Sequence, residues 1–463
     1  MLSRIILAAF ILPWGIGLGA DLERPNVLVI VSDDQRLDTI AALGNPVIDT
    51  PNLDRLVRRG TAFTNATCAN PICTPSRAEL LTGCTGMRNG VFDFGRTIEP
   101  SLATMPEPFA KVGYATWYSG KWHNNGRPNL HGYQSTKRLF TGGGGKWWKP
   151  QGDYRGHPVT GYKGWIFRDS KDEPLPELGV GLTPHISEVI ADAAVELIDA
   201  GSNQPFFIHL NFTAPHDPLL MPPEMAGRYP PARMPLPGNF LPEHPFDHGN
   251  QGGRDETLLP TPRTKQIVQA DLAAYYAVIT HMDAQIGRIL DALERAGKTK
   301  STIVVFCSDH GLAMGSHGLR GKQNMYEHTI NVPLVFAGPG IPENQRVEGQ
   351  AYLRDVFPTL CELAGLEIPT VDGQSQLPVI QGQKKTLYPF VVGYFRDSQR
   401  MIRQPPWKLI QYPLVGKTQL FNLDNDPLEQ VNLAGDPGHR PTVDELSNQL
   451  ARWMRDHAKA IEK

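Results

Sequence analysis

Two textures of apolar and polar residues alternate along the chain. Short unbroken apolar runs, rich in β-branched residues, occupy Asn26–Ser32, residues 205–210, Thr302–Ser308 and residues 332–336. Such runs read as strands covered on both faces, the kind that parallel sheets bury. Residues 60–65 and 113–119 read as two further strands. Between them lie stretches with apolar residues at helical spacing: 52–59, where Leu53 and Leu56 share a face, 186–198, and 264–296. Strands alternating with helices predict an α/β fold with a large, mostly parallel central sheet flanked by helices. From about residue 381 the pattern changes. Residues 388–394, 401–403, 407–412 and 419–423 are short strands close together, which predicts a smaller C-terminal antiparallel sheet, and residues 443–458 form a closing helix. This divides the chain into a leader over 1–20, a main domain over 21–380 and a C-terminal subdomain over 381–463.

Polar residues recur where the predicted strands stop. Asp33-Asp34 follows the first, Lys121 and His123 another, His216 a third, and Asp309-His310 a fourth. In open α/β sheets ligands bind beyond the carboxyl ends of the strands. Four strand ends carrying acids, bases and cations therefore predict one shared polar site. Three carboxylates converging there would repel one another unless a cation lay between them, and oxygen ligands suit a hard divalent ion, Ca²⁺ or Mg²⁺. His310 adds a nitrogen ligand or a supporting hydrogen bond.

Composition narrows the classes. With 20% charged and 40% hydrophobic residues the chain is an ordinary globular protein. A net charge of −2 argues against a nucleic-acid partner. Forty-one prolines and 45 glycines announce long loops, among them 142–148, with Trp147 and Trp148, and a Pro-rich excursion over 222–264 that reads as a lid or rim. Inside the chain no apolar run is long enough to span a bilayer. The N-terminus differs: Arg4 precedes apolar residues 5–18, with small residues at Gly17, Gly19 and Ala20. This is the pattern of a secretory signal peptide cleaved after Gly19 or Ala20, the alternative being an uncleaved anchor, and it predicts export to a periplasm or the exterior, or to a lysosome in a eukaryote, with no membrane span left after cleavage. Five cysteines are too few for a disulfide scaffold; Cys68 and Cys84 could pair, whereas Cys307 and Cys361 lie in apolar surroundings. Asn65 and Asn211 head glycosylation sequons that matter only in a eukaryotic host.

One stretch ties these observations together. In Cys73-Thr74-Pro75-Ser76-Arg77, followed by the helical run 78–83, Pro75 and Ser76 sit where a helix begins. Cys73 then lies at the helix N-terminus, where free N–H groups favour negative charge, and Arg77 projects from the same face. Cys-x-Pro-Ser-Arg resembles the signature of the formylglycine-dependent (type I) sulfatases of the alkaline phosphatase superfamily. Gly120-Lys121-Trp122-His123 is similar to that family's Gly-Lys-x-His, Pro215-His216-Asp217-Pro218 to its Pro-His-x-Pro loop, and Gly321-Lys322 to its Lys-containing stretch before a Tyr-Glu pair, here Tyr326-Glu327. The segment from Arg403 through Trp407-Lys408-Leu409-Ile410 to Asn432-Leu433 resembles the family's closing segment.

The resemblance implies a sulfuric ester hydrolase whose catalytic domain is the 21–380 region. It implies that a formylglycine-generating or anaerobic sulfatase-maturing enzyme converts Cys73 to formylglycine, and that Asp33, Asp34, Cys73, Asp309 and His310 surround one calcium ion. It further implies that Arg77, Lys121 and Lys322 hold sulfate oxygens, that His123 orients and deprotonates the formylglycine hydrate, and that His216 protonates the leaving alcohol. His317 and His328 are left as rim residues. Two rival readings accompany it: a phosphonate monoester hydrolase or phosphodiesterase on the same fold, and a non-catalytic sulfated-glycan binding protein. Trp147, Trp148 and Trp165 could stack on a sugar ring, which would favour a sulfated carbohydrate as substrate.

Overall fold

The structure, a computed structural model, describes residues 24–458; the signal-peptide reading of residues 1–20 falls outside them. Ten strands form the main sheet: β1 (Asn26–Ser32), β2 (Gly60–Thr67), β3 (Ala115–Lys121), β4 (Ser135–Thr141), β5 (Ile166–Arg168), β6 (Phe206–Asn211), β7 (Thr302–Ser308), β8 (Asn331–Ala337), β9 (Gln345–Val347) and β10 (Ala351–Tyr352). Their order is β10-β2-β8-β7-β1-β6-β3-β4-β5, with β9 also on β2. The sheet is mixed: β8 runs antiparallel to both β2 and β7, and β5 antiparallel to β4. At its centre β7, β1, β6 and β3 are neighbours and mutually parallel.

The reason β1 is apolar without interruption lies in the two layers that cover it. Leu28 and Ile30 point into one core with Leu53 and Leu56 of the helix Pro51–Arg58 and with Ile190, Ile279 and Ile286 of the long helices Ile186–Asp199 and Lys265–Arg295. Val27, Val29 and Val31 point into the other, with Leu80, Phe109, Phe357 and Leu360. Each face of the strand is thus dry, and period-two alternation of polarity has no place in it.

The second sheet holds β11 (Val391–Phe395), β12 (Gln399–Gln404), β13 (Trp407–Tyr412) and β14 (Lys417–Asn422), all antiparallel in sequence order. One face, through Ile402, Leu409 and Leu420, takes Leu446 and Leu450 of the closing helix Arg440–Ala458. The other, through Met401, Ile410 and Phe421, meets Ile72, Leu319 and Met325, which flank Cys73 and Lys322 in sequence. This sheet therefore backs the loops that carry the site.

Two local expectations are corrected. All five cysteines are free, so Cys68 and Cys84 do not pair. The signature helix spans Cys73–Thr82, with Ile72 at its cap position. Ser76 is therefore inside the helix, and its hydroxyl donates to the Asp309 carbonyl (2.6 Å) instead of capping. No helix among the described residues is long and apolar enough to cross a membrane.

Candidate active site

Because β7, β1, β6 and β3 lie side by side and parallel, their carboxyl ends open on one edge. Asp33 and Asp34 leave β1, Asp309 and His310 leave β7, Lys121 closes β3, and the turn after β6 reaches His216. The helix Cys73–Thr82 presents its first residue to the same place. Cys73 Sγ lies 3.7 Å from Asp33 Oδ1, 3.4 Å from His310 Nε2 and 3.4 Å from Lys322 Nζ. All the predicted site residues but His123 are at most 7% exposed.

The charges interlock. Lys121 Nζ donates to Asp33 Oδ2 (2.5 Å), and Lys322 Nζ to both oxygens of Asp34 (2.8 and 2.9 Å). Arg77 spans three strand ends, donating to Asp309 Oδ2 (3.1 Å) and Asn211 Oδ1 (2.7 Å) and lying 3.4 Å from Asp33 Oδ1. Asp34 adopts a left-handed backbone, φ 71°. Its amide donates to Asp309 Oδ1 (3.0 Å) and its carbonyl accepts from the Tyr275 hydroxyl (2.6 Å), so partners on both sides hold a conformation that a non-glycine residue seldom takes.

Electrostatics follow from burial set against these pairs. Burial pushes the Asp33 carboxyl up, but Lys121, with Arg77 and His216, overcomes it and holds the group well below the carboxylate range. Burial also opposes the Cys73 thiolate, yet Lys121, Lys322 and His310 bring the thiol well below its ordinary value. Burial carries Asp309 up to about 6 despite His310 and Arg77. The two cavity histidines separate. Burial lowers His123 to about 4. His216 is raised: Asp34 and Asp217 outweigh its burial and the nearby Lys322. Its Nδ1–H donates to the Asp217 carbonyl (2.6 Å), which leaves Nε2 facing Asp34 at 3.8 Å.

A cavity of about 430 Å³ opens above this cluster. Cys73, His123, His216 and Lys322 form its polar floor; Phe94, Tyr162 and Trp165 are its aromatic wall; Asn250, Arg254 and Asp255 enter from the Pro-rich 222–264 segment. That segment contains short 3₁₀ turns, among them Pro223–Met225 and Glu256–Leu258, and an isolated bridge from Phe240 to Ser316. Of the three tryptophans considered above, Trp165 is in the wall and Trp147 and Trp148 are not among the lining residues. His317 and His328 also lie elsewhere, beside the Tyr326 ring at centroid distances of 3.9 and 5.7 Å.

Several residues at the site are not among the predicted site residues. Tyr162 donates to Asp33 Oδ2 (2.8 Å), and Asn211 takes a hydrogen bond from Arg77. Asp217 is clasped by both Arg254 nitrogens (2.7 Å each), and Asp255 lies 3.6 Å from Lys322 Nζ. Asn211 and Asp217 could have been found from their place at and just beyond the end of β6. Tyr162 and Asp255 come from long loops whose course no local pattern announces.

Four candidate ligand atoms gather here, of which the two carboxylates suit a hard cation. Asp33, Asp34, Cys73 and His310 each offer a ligand atom, and these atoms lie within 4.8 Å of one another, fully buried. Two of the donors are carboxylates, which fit calcium. Asp309 stands beside this group, its oxygens taken by the amides of Asp34 and His310 and by Arg77.

Comparison with known proteins places the chain among relatives. The family model described as "Sulfatase" matches residues 25–366, and one described as "N-sulphoglucosamine sulphohydrolase, C-terminal" matches 315–456. A choline-sulfatase of Rhizobium meliloti is 29% identical over 93% of this chain and 86% of its own length. An arylsulfatase of Clostridium perfringens is 29% identical over 93% and 94%. Among solved structures, one in complex with its substrate D-glucosamine-2-N,6-O-disulfate superposes with a TM-score of 0.76 at 22% identity, covering 94% of this chain and 98% of its own. A phosphonate monoester hydrolase of Agrobacterium radiobacter also gives 0.76, at 23% identity, covering 94% and 96%.

Proposed function

The chain belongs to the sulfatase family and is a hydrolase of sulfate esters; from that premise we propose that it cleaves a sulfated saccharide with formylglycine at residue 73 and one calcium ion beside it. The observation that carries this is the seat of Cys73, a buried side chain at a helix start, ringed by Asp33, His310 and Lys322 and open to the cavity.

Calcium, held by Asp33 and Asp34 with His310 beside them, would supply positive charge to the oxygens gathered above it. Formylglycine would supply, as its hydrate, the oxygen that attacks sulfur. The remaining work falls to the side chains of this chain. Lys322 reaches both Asp34 and residue 73, so it is placed to hold the attacking group and a sulfate oxygen together. Lys121 and Arg77 add positive charge and fix the carboxylates through Asp33 and Asp309. His123, kept neutral by burial, is suited to take a proton from the group at residue 73. His216 has the opposite bias and is suited to give one to the departing alcohol oxygen. Phe94, Tyr162 and Trp165 screen the chemistry from water and offer faces for a sugar ring.

A saccharide is favoured over a small ester by that aromatic wall, and saccharide sulfatases stand among the relatives beside the choline-sulfatase and arylsulfatase named above. They include an N-acetylglucosamine-6-O-sulfatase of Bacteroides thetaiotaomicron, 25% identical over 94% of this chain. The apolar N-terminal leader supports export. The phosphonate monoester hydrolase fold match keeps a second reading in play, hydrolysis of phosphonate monoesters at the same site. Measuring kcat/KM on position-defined sulfated saccharides, an aryl sulfate and an aryl phosphonate decides between them. The proposal expects the highest value on one saccharide, and preference for the phosphonate would overturn it. Mass measurement of the Cys73 peptide tests formylglycine separately.

A further inference from the structure

Away from the cavity that holds Cys73, two histidines and two glutamates from three elements converge. His185 and Glu188 stand at the start of the helix Ile186–Asp199, His281 in the middle of the helix Lys265–Arg295, and Glu224 in the 3₁₀ turn Pro223–Met225. One potential ligand atom from each falls within 4.8 Å of the others. Glu188 Oε1 is the hub, 2.8 Å from His185 Nδ1 and 3.1 Å from His281 Nε2.

Either neutral tautomer of His281 leaves one of its two Nε2 contacts unmet. Arg288, a donor only, gives a hydrogen bond to Gln285 Oε1 (2.9 Å), which turns the Gln285 amide nitrogen toward His281 Nε2 at 3.3 Å. That nitrogen arrives as a donor, so it meets a lone pair on His281 Nε2. The same Nε2 faces the Glu188 carboxylate, which also brings lone pairs. The neutral Nε2–H tautomer would satisfy Glu188 but set two donors, Nε2–H and the Gln285 amide, against each other, and with His281 only 4% exposed burial works against charging the ring. A cation between imidazole and carboxylate would take the Nε2 lone pair and the Glu188 oxygen together, with the Gln285 amide turning aside.

We propose that His185, Glu188, Glu224 and His281 form a binding site for a divalent transition-metal ion, with Zn²⁺ the best match to two imidazole nitrogens and two carboxylate oxygens. Ligand atoms about 2.0–2.2 Å from a tetrahedral ion stand roughly 3.3–3.6 Å from one another. Atoms already within 4.8 Å reach that spacing by side-chain rotation, and His185 and Glu224 are exposed and free to turn. Glu224 alone belongs to the Pro-rich segment that also supplies Asn250, Arg254 and Asp255 to the cavity. An ion here would join that segment to the helical layer.

The test is a zinc titration of the calcium-saturated enzyme by calorimetry, beside thermal melts with and without Zn²⁺. The variants are the exposed pair His185→Gln/Glu224→Gln, which leaves the packed residues untouched, and the buried His281→Asn. Wild type should bind one more equivalent of Zn²⁺ than either variant, and its Tm should rise by roughly 2–5 °C at zinc about a hundredfold above Kd. The exposed-pair variant should lose that rise while keeping its zinc-free Tm and its activity on a sulfate ester. Equal zinc stoichiometry and equal melting shifts in wild type and the exposed-pair variant would overturn the proposal. So would a variant that melts lower without zinc while wild type gains nothing from the ion, since the cluster would then be an ion pair alone.

Discussion

Lys322 Nζ stands 3.4 Å from Cys73 Sγ, although 249 residues separate them in sequence. The same ammonium holds both oxygens of Asp34. One cation thereby registers the signature helix against the end of β1, and its own loop is backed by the small antiparallel sheet through Leu319 and Met325. Loss of the group at residue 73 and loss of its surroundings should therefore be separable.

Cys73→Ala should abolish turnover and leave the fold and calcium content largely intact, because a small side chain leaves little empty volume behind. More than trace activity in the purified variant would defeat a covalent mechanism through residue 73. Cys73→Ser should be equally inactive when produced in a host without a serine-oxidising maturase. The corresponding wild-type peptide should be lighter than its unmodified form by the difference between a thiol and an aldehyde.

Metal removal addresses the carboxylates. A ligand that binds only the folded chain stabilises it by mass action, ~2.7 kcal/mol at a concentration a hundredfold above Kd. Exhaustive chelation of wild type should lower both activity and Tm, and calcium should restore them. Asp34→Asn should bind less calcium and show little of that response. Full activity after chelation, with no metal found by elemental analysis, would remove the ion from the site.

Much of this centre was legible in the chain because a parallel sheet brings its strand ends to a common edge. Asp33, Lys121, His216 and Asp309 each sit at or just beyond a strand that periodicity reveals, and the pairing of β7, β1, β6 and β3 does the rest. The remainder depends on distances that local patterns do not encode. Tyr162 and Asp255 reach Asp33 and Lys322 from loops with no period of their own. Ser76 looked like a cap because Ser and Pro suit helix starts, but the turn begins at Cys73, and Asp309 claims the hydroxyl. The free thiols of Cys68 and Cys84 show the same limit, since flanking a motif does not bring two side chains together.

A buried charge cluster behind the site should make stability pH-dependent. Lys408 Nζ bridges Glu327 Oε1 (2.8 Å) and Glu429 Oε1 (2.6 Å), and Arg403 also holds Glu327 (2.7 Å). Burial lifts Glu429 to about 7, against the pull of Lys408. A carboxyl raised in the folded state binds its proton better there than in the unfolded chain. Its contribution is thus complete below the ordinary value near 4.5 and is lost as pH climbs toward about 7. Glu429→Gln, which cannot titrate, should lack this component, so the Tm of wild type minus that of the variant should fall between pH 4.5 and 7. A difference that is flat or rises across that window would contradict the raised value.

His216→Ala separates two roles that geometry alone leaves joined, because its Nε2 faces both the cavity and Asp34. If His216 gives a proton to the leaving oxygen, its loss should hurt poor leaving groups most. A sugar alcohol departs as a strongly basic alkoxide and needs that proton in the transition state, whereas a nitrophenolate leaves with little help. General acid catalysis is worth about 10²–10⁴-fold, so kcat/KM should fall by that order on a sulfated sugar and by much less on a nitrophenyl sulfate. A residue that only holds sulfate contacts the same anion in both substrates, and its removal should cost both alike. Comparable losses on the two would leave His216 in the binding site and assign the proton to another group. The wide gap expected here would tie the raised affinity of His216 for its proton, set by Asp34 and Asp217, to the bond-breaking step.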